Sequence, residues 1–189
     1  MSESIYAKGR LFELVHREQP DGRIFEVARR APGVRVIIAD LQKQELLLTR
    51  EFRRELQDWD YRLPGGKVFD SLEEYRLFRE GGEDVIMPAK QKAIDESIEE
   101  AGVEVKDVEL FKISTLGATM EWDLFVFEAH EWRISENGQR LESGEQIETN
   151  NWFSYERVNE MILNDELKEE RIALILMQWI KKNQKGDKL

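Results

Sequence analysis

The chain contains no cysteine and only two histidines, His16 and His130, among its 189 residues. Without cysteine there are no disulfides, no thiolate metal ligands and no cysteine nucleophile. Two histidines also argue against a multi-histidine zinc site and against a histidine-based catalytic triad. These absences exclude the thiol-dependent classes of site and disfavour the histidine-dependent ones.

Long apolar runs and excess positive charge are missing as well. No stretch approaches the roughly 18 apolar residues of a membrane span, and the opening segment MSESIYAKGR lacks the apolar core of a secretory signal. The 28 lysines and arginines stand against 39 aspartates and glutamates, a formal net charge of −11. A nonspecific nucleic-acid binder needs a basic face. We therefore expect a cytoplasmic protein without membrane or nucleic-acid partners, although local arginines or a bound cation would still allow a small polyphosphate to bind.

Apolar alternation predicts strands through the first third of the chain. RLFELVHRE and RIFEVARR flank the turn PDGR and are expected to form a β-hairpin, followed by strands in GVRVIIAD and QELLLTREFRR. Residues 58–70 are expected to form a loop. Ser71 and Glu74 form a capping-box signature for a short helix, and a second helix is expected to open at Pro88 and end at Gly102.

Three further strands and two C-terminal helices complete the expected order of elements. Many strands, central helices, more strands and closing helices indicate an α+β fold with a mixed sheet rather than regular βαβ winding. We expect residues 1–30 to form an N-terminal β-hairpin extension, a dimerisation element, and residues 31–189 to form the main domain.

The stretch AIDESIEEAGVEV, residues 93–105, crowds four carboxylates together. On a helix, Glu99 and Glu100 are the i+3 and i+4 neighbours of Glu96, so all three can present oxygens to one point. Unpaired, they repel one another by a few tenths of a kcal/mol per pair. A hard cation such as Mg²⁺ would make the arrangement favourable, whereas a solvated acidic face is the ordinary alternative.

Two motifs around this helix point to a known family. LPGGKV (residues 63–68) precedes the helix and EEAGV (residues 99–103) ends it. Together they resemble the box of the Nudix hydrolases, G-x5-E-x7-R-E-U-x-E-E-x-G-U, where U is bulky and aliphatic. LLLTREFRREL, ESGEQIETNNWFS and RIALILMQWIKK are similar to segments of the ADP-ribose pyrophosphatase branch. The resemblance spans roughly residues 24–182 and implies a Nudix-type α/β/α sandwich, with N-terminal sheets that pair between subunits.

The box departs from the family pattern at its front. Gly66 precedes Asp95 by 29 positions instead of 14, a difference of 15, which we interpret as an insertion at about 69–88. Leu72 stands where the first glutamate is expected, and Ser97 replaces an aliphatic residue. The insertion is interpreted either as a lid over the substrate or as a surface loop.

Asp95 itself stands where the family has an arginine. One hypothesis is that the bracing contact is rebuilt with opposite polarity, so that Asp95 pairs with a cation from the inserted segment. The candidate cations are Arg76, Arg79, Lys90 and Lys92. The alternative is that Asp95 is simply exposed.

The resemblance also implies roles for individual residues. The expected Mg²⁺ ligands, with Mn²⁺ as a substitute ion, are Glu96, Glu100, Glu99, the Gly65 carbonyl and Glu145. The general base comes from the later acidic loop, with Glu142 preferred, Glu145 next and Glu148 third, and Glu99 is kept among the catalytic residues. A solvated polar loop is the competing interpretation.

Substrate binding is expected from arginines on the strands and from one loop. Arg53, with its neighbour Arg54, matches the substrate arginine before the box, and Arg29 and Arg30 would reach a substrate across a dimer. The loop carrying Gly117 and Glu121 is expected to flank the substrate. The rings of Phe25, Tyr61 and Trp122 could stack on a base, but a place in the core is favoured for each of the three.

By this resemblance the protein is expected to hydrolyse a nucleoside diphosphate linked to another moiety, with Mg²⁺ as cofactor. ADP-ribose giving AMP and ribose 5-phosphate is the first choice, and a nucleotide sugar or another nucleoside diphosphate derivative is the alternative. A homodimer is expected. The altered box also leaves open a Nudix-fold nucleotide-binding or regulatory domain that has lost catalysis.

Overall fold

The computed structural model describes residues 2–184, which begin with a four-stranded sheet. Its strands, in spatial order, are β1 (Ser2–Lys8), β2 (Phe12–Glu18), β3 (Ile24–Arg30) and β8 (Met120–Glu121). The β2–β3 pairing confirms the predicted hairpin, with Phe12 opposite Arg30. β1 was not predicted, because its residues are exposed on both faces and lack apolar alternation. The short β8 adds in parallel beside β3.

The second sheet is the scaffold of the molecule and is mixed. Its strands are β4 (Gly33–Asp40), β5 (Glu45–Arg53), β6 (Asp58–Arg62), β7 (Val103–Ser114), β9 (Leu124–Ile134) and β10 (Ile147–Ser154). The order is β10-β5-β4-β9-β7, with β6 paired to β5. β4 and β9 run parallel, and the other pairs are antiparallel. The expectation of a loop over 58–70 is wrong for its first five residues, which pair with β5 as β6.

Residues 2–184 contain four helices: α1 (Leu72–Gly81), α2 (Ile86–Glu99), α3 (Tyr155–Leu163) and α4 (Glu170–Asn183). The capping box before α1 is present, because Ser71 Oγ accepts a bond from the Glu74 N–H at 3.1 Å while Glu74 accepts one from the Asp70 N–H. α2 begins two residues before Pro88, so the prediction that this proline opens the helix is wrong by two positions. Beyond α2, Gly102 adopts a left-handed φ of 65°, in agreement with the predicted stop.

The core has two halves, one on each face of the main sheet. Successive residues of a strand point to opposite faces, so β4 sends Val36 and Ile38 towards α2 and Ile37 towards α3 and α4. The result is a helix–sheet–helix sandwich of the α+β class, as predicted. Within residues 2–184, no helix is long and apolar enough to cross a membrane.

Replacement of Trp179 by alanine tests the larger half of the core. Trp179 is fully buried on α4, and its ring meets that of Tyr155 edge-on at 5.5 Å. We expect Trp179→Ala to lower the free energy of unfolding by about 3–5 kcal/mol, measured by urea denaturation followed by circular dichroism. Leu174→Ala is the matched control, because Leu174 lies on the same helix and is 56% exposed. A loss below about 1 kcal/mol for Trp179→Ala would show that α4 does not close the core.

Candidate active site

A cleft of about 350 Å³ opens between the carboxyl end of α2, the Pro-Gly-Gly loop and the ends of β3 to β6. α2 contributes carboxylates to its lining, and the strands contribute arginines. The cleft brings together eight of the predicted site residues: Arg30, Arg53, Gly65, Glu96, Glu99, Glu100, Glu142 and Glu145. The sequence prediction therefore selected residues that are far apart in the chain but share one cavity.

Two glycines allow the Pro-Gly-Gly loop to lie directly on α2. The Gly65 N–H donates a hydrogen bond to Glu100 Oε2 at 2.7 Å. A Cβ on Gly66 would overlap the carboxylate of Glu96, and a Cβ on Gly65, whose φ is +150°, would overlap the backbone of Val34. The close approach of the loop to α2 thus depends on the missing side chain of Gly66, and its close approach to β4 depends on that of Gly65.

Lys92 lies between two of the α2 carboxylates. Its Nζ is 3.0 Å from Glu96 Oε1 and 3.1 Å from Glu99 Oε2. Burial opposes the charge on Lys92, but hydrogen bonds and attraction from Glu96 and Glu99 outweigh it and raise the pKa of Lys92 above its ordinary value. The cation that compensates this pair therefore comes from the same helix.

Glu100 is the carboxylate of the group that the backbone of the Pro-Gly-Gly loop contacts. Burial, followed by repulsion from Glu96, raises the pKa of Glu100 to about 8, although attraction from Arg35 and the Gly65 N–H works in the opposite direction. Burial also raises the pKa of Glu96, and Lys92 limits that rise. The surroundings of the two carboxylates thus differ, because Glu96 has the Lys92 ammonium beside it and Glu100 has the Gly65 backbone amide.

The side chains do not form a ready-made metal cage. Among residues 2–184, no group of three or more histidine, aspartate or glutamate side chains is arranged to hold a metal ion. Glu96 and Glu99 converge on Lys92, while Glu100 turns to the Gly65 N–H. The donor set still fits a hard cation, because two carboxylates already converge on one positive charge.

Arg35 lines the cleft and was missed by the sequence interpretation. It is buried in β4, and its Nη1 donates hydrogen bonds to the carbonyl oxygens of Val34 at 3.0 Å and Gly65 at 2.6 Å. The Gly65 carbonyl, predicted as a metal ligand, therefore has a guanidinium partner. A charged residue inside the apolar run GVRVIIAD was the available signal, because an arginine is rarely buried without a specific partner.

Ion pairs neutralise Arg35 and two further arginines of the cleft, Arg53 and Arg62. Glu169 lies 3.6 Å from Arg35 and 2.8 Å from Arg62, and Glu51 pairs with Arg62 at 3.3 Å and with Arg53 at 3.0 Å. Burial opposes the charge of Glu169, but Arg35 and Arg62 lower its pKa. This network holds the arginines in place beside the carboxylate helix.

Trp122 is held between two arginines at the edge of the cleft. The guanidinium carbons of Arg30 and Arg171 lie 4.3 and 4.4 Å from the Trp122 rings, within the range of cation–π contacts. Trp122 lies in neither half of the core, so the preference for a core position was wrong for this residue. It was also wrong for Phe25, which is 49% exposed. The preference was correct for Tyr61, which packs against the core.

Arg30 has no ion-pair partner within the described part of the chain. Burial lowers the pKa of Arg30, and repulsion from Arg35 and Arg53 adds to this effect. Its side chain lines the cleft of its own chain. Arg30 was expected to reach a substrate across a dimer, but it reaches the cleft of its own chain without a second subunit.

Three predicted residues do not line the cleft. Glu121 pairs with Arg17 and Arg29 in the N-terminal sheet, where Arg29 also contacts Glu3 and Glu13. Gly117 lies in the loop between β7 and β8, with open space around its Cα. Arg54 reaches the acidic loop instead, where its Nη2 donates a hydrogen bond to the Gly144 carbonyl at 2.9 Å.

The acidic loop itself reaches the cleft edge with two glutamates. Glu142 and Glu145 are exposed, and the Glu142 N–H donates a hydrogen bond to Glu145 Oε2 at 2.8 Å. Glu148, the third candidate base, pairs with Arg50 at 3.2 Å and does not line the cleft. Of the three, Glu142 and Glu145 line the cleft.

Asp95 does not pair with any of the cations suggested for it. Its Oδ1 accepts a hydrogen bond from Gln91 at 3.0 Å, whereas Lys90 pairs with Asp107 and Lys92 with the two glutamates. The charge-reversed brace is therefore not found in residues 2–184. Asp95 is a partly exposed residue on the side of α2 away from the cleft lining.

Comparisons with known proteins support the fold. No family model matches the chain, and no curated protein matches it. Among solved structures, the chain is similar to one described as the crystal structure of ADP compounds hydrolase, with a TM-score of 0.65 and 18% sequence identity. The match covers 98% of this chain and 95% of that chain. This likeness agrees with the predicted α+β sandwich built on a mixed sheet.

A substitution at Gly65 tests the docking of the Pro-Gly-Gly loop on β4. We expect Gly65→Ala to lower the free energy of unfolding by roughly 2–4 kcal/mol, because the new Cβ would meet the rigid backbone of Val34. Gly81→Ala is the control, since no atom lies within 4 Å of its added Cβ. Thermal and urea unfolding measure both variants. Equal stability of the two would show that the loop can move off the strand without cost.

Proposed function

We propose that the chain is a hydrolase of nucleoside diphosphates linked to another moiety, with ADP-ribose, cleaved to AMP and ribose 5-phosphate, as the leading substrate. The observation that carries the proposal is the cleft in which α2 presents carboxylates beside arginines from the sheet. Hydrolysis of a diphosphate requires neutralised phosphate charge, an activated water and an oriented substrate. The similarity in fold to ADP compounds hydrolase supports the same class of reaction.

The carboxylates supply the proposed metal site. Mg²⁺, with Mn²⁺ as a substitute, would be held by Glu96, Glu99 and Glu100, with Glu145 as an additional ligand, and would neutralise phosphate charge and acidify a bound water. The Gly65 carbonyl retains a second lone pair beside its bond from Arg35, which is compatible with its proposed role as a backbone ligand.

The chain's own residues would bind and orient the substrate. Arg53 and Arg30 are suited to phosphate oxygens, because a guanidinium can donate two parallel hydrogen bonds. Glu142 would accept the proton of the attacking water, and Glu145 is the alternative base. Arg54 would act as a positioning residue, because its bond to the Gly144 carbonyl holds the loop that carries both glutamates.

Other parts of the proposal concern assembly and substrate choice. A homodimer would pair through the N-terminal sheet, whose exposed apolar side chains include Tyr6, Ile24 and Phe25.

A nucleotide sugar or another nucleoside diphosphate derivative is the alternative substrate. Product analysis by chromatography, with a panel of such diphosphates and Mg²⁺, would decide among them.

A nucleotide-binding domain without catalysis is the second candidate function. It is favoured by one observation: Lys92 and Arg35 occupy the carboxylate pair and the Gly65 carbonyl with cations of the protein itself. Nucleotide binding in calorimetry, together with no turnover of any diphosphate in the panel, would support this candidate and exclude the hydrolase.

Removal of one carboxylate charge tests the proposed metal ligands. We expect Glu96→Gln and Glu100→Gln each to reduce Mg²⁺-dependent hydrolysis of ADP-ribose about a hundredfold or more, because even outer-shell changes at metal sites cost about 10–100-fold. Asp95→Asn makes the same chemical change on the same helix outside the cleft, and should retain activity within about twofold of the unmodified protein. Equal activity of all three variants would contradict the assignment.

Replacement of Arg30 tests its proposed role in binding the phosphate groups of the substrate. Because Arg30 lacks a carboxylate partner within the described residues, its charge is available to a phosphate. We expect Arg30→Ala to lower kcat/KM about tenfold, mainly through KM, in steady-state kinetics with ADP-ribose. Arg133→Ala serves as control, since Arg133 is 78% exposed and pairs with Glu104 outside the cleft. An unchanged KM for Arg30→Ala would rule out this role.

A further inference from the structure

Lys92 has an unusual position for a residue next to proposed metal ligands. It lies one helical turn before Glu96 and two turns before Glu99, and its Nζ is within 3.1 Å of an oxygen of each. Its side chain is 26% exposed, that of Glu96 is 9% exposed, and both line the cleft. The ammonium therefore stands where the oxygens of two proposed ligands converge.

We propose that Lys92 is a tethered counter-cation that competes with a divalent metal ion for Glu96 and Glu99. This inference rests on the proposed function, because it concerns the metal that such a hydrolase would use. Binding of the metal requires the ammonium to leave the two carboxylates.

The competition follows from distance and charge. A magnesium ion approaches its oxygen ligands to about 2.0–2.1 Å, whereas the ammonium lies 3.0 and 3.1 Å from the same two oxygens. Both cations cannot use these oxygens at once, because their positive charges would be close together in a partly buried cleft. The free energy of the lysine pairing must therefore be overcome before the metal binds, and the apparent affinity falls accordingly.

Lys92 also serves the protein when no metal is bound. Glu96 is buried against Gly66, and an uncompensated buried carboxylate is destabilising. The tether compensates this charge while no metal is bound, and the metal would compensate it after displacing the ammonium. Once displaced, the ammonium remains on a flexible four-carbon stem at the cleft, where the phosphate oxygens of a substrate are its natural partners.

Two substitutions at position 92 separate competition from simple structural support. Lys92→Met removes the charge and keeps a long side chain, whereas Lys92→Arg keeps the charge and can pair with carboxylates through two hydrogen bonds. Lys90→Met is the matched control, because Lys90 lies on the same helix and pairs with Asp107 at 2.7 Å outside the cleft. The probes are MgCl₂ in calorimetry and MnCl₂ in a thermal-shift titration.

The expected pattern has opposite signs for the two variants. Lys92→Met should melt at a lower temperature without metal, bind Mg²⁺ about tenfold more tightly and show a larger metal-induced rise in melting temperature. Lys92→Arg should bind the metal several-fold more weakly, and Lys90→Met should bind it like the unmodified protein. If Lys92→Met fails to fold, the weaker binding of Lys92→Arg still carries the test.

Metal affinity that is unchanged or weaker in Lys92→Met, or unchanged in Lys92→Arg, would overturn the proposal. Hydrolysis by the unmodified protein together with such unchanged affinities would overturn this inference alone. Tighter metal binding by Lys92→Met, with no turnover by the unmodified protein, would overturn the hydrolase and leave the competition standing. Absence of metal binding in all four proteins would overturn both.

Discussion

The hydrogen bond from the Gly65 N–H to Glu100 is the contact on which the site depends. The same short loop pairs with β4 on its other side, because the Val34 N–H donates to the Gly66 carbonyl and the Val36 N–H donates to the Pro64 carbonyl, both at 2.9 Å. The loop thus joins the sheet to α2 through backbone groups. Side chains on the two glycines would separate these layers, and the arginines of the sheet would no longer face the carboxylates of the helix.

A buried charge is costly unless a partner of opposite charge or hydrogen bonds compensate it. In the part of the chain that the structure describes, ion pairs neutralise Arg35, Arg53 and Arg62, whereas Arg30 and Glu100 lack one. A bound phosphate would compensate Arg30, and a bound cation would compensate the carboxylate of Glu100. These two groups are the reason why the proposed substrate carries a polyphosphate together with a metal ion.

Local patterns in the sequence predicted the local structure well. Apolar alternation predicted the β2–β3 hairpin, and the spacing of Ser71 and Glu74 predicted the start of α1. β6 was missed because its sequence DWDYR is polar and the Pro-Gly-Gly that follows it suggested a loop. The strand is formed by pairing with β5, which is a long-range interaction that its own residues do not reveal.

The candidate site was predictable where its members follow helical spacing or the family box. Lys92 could have been placed beside Glu96 from the i,i+4 rule alone. The contact of Arg171 with Trp122 could not, since the two residues are 49 positions apart and meet only through the fold. Arg35 was overlooked because the apolar residues around it indicated an ordinary core strand.

The ion-pair cluster of the N-terminal sheet has a consequence for the cleft. Arg29 and Glu121 are joined across β3 and β8, and each is the immediate neighbour of a cleft residue, Arg30 and Trp122 respectively. A shift of the first sheet would carry both of these residues with it. The N-terminal sheet thus supplies Arg30 to one wall of the cleft, and the position of that wall depends on how this sheet is seated.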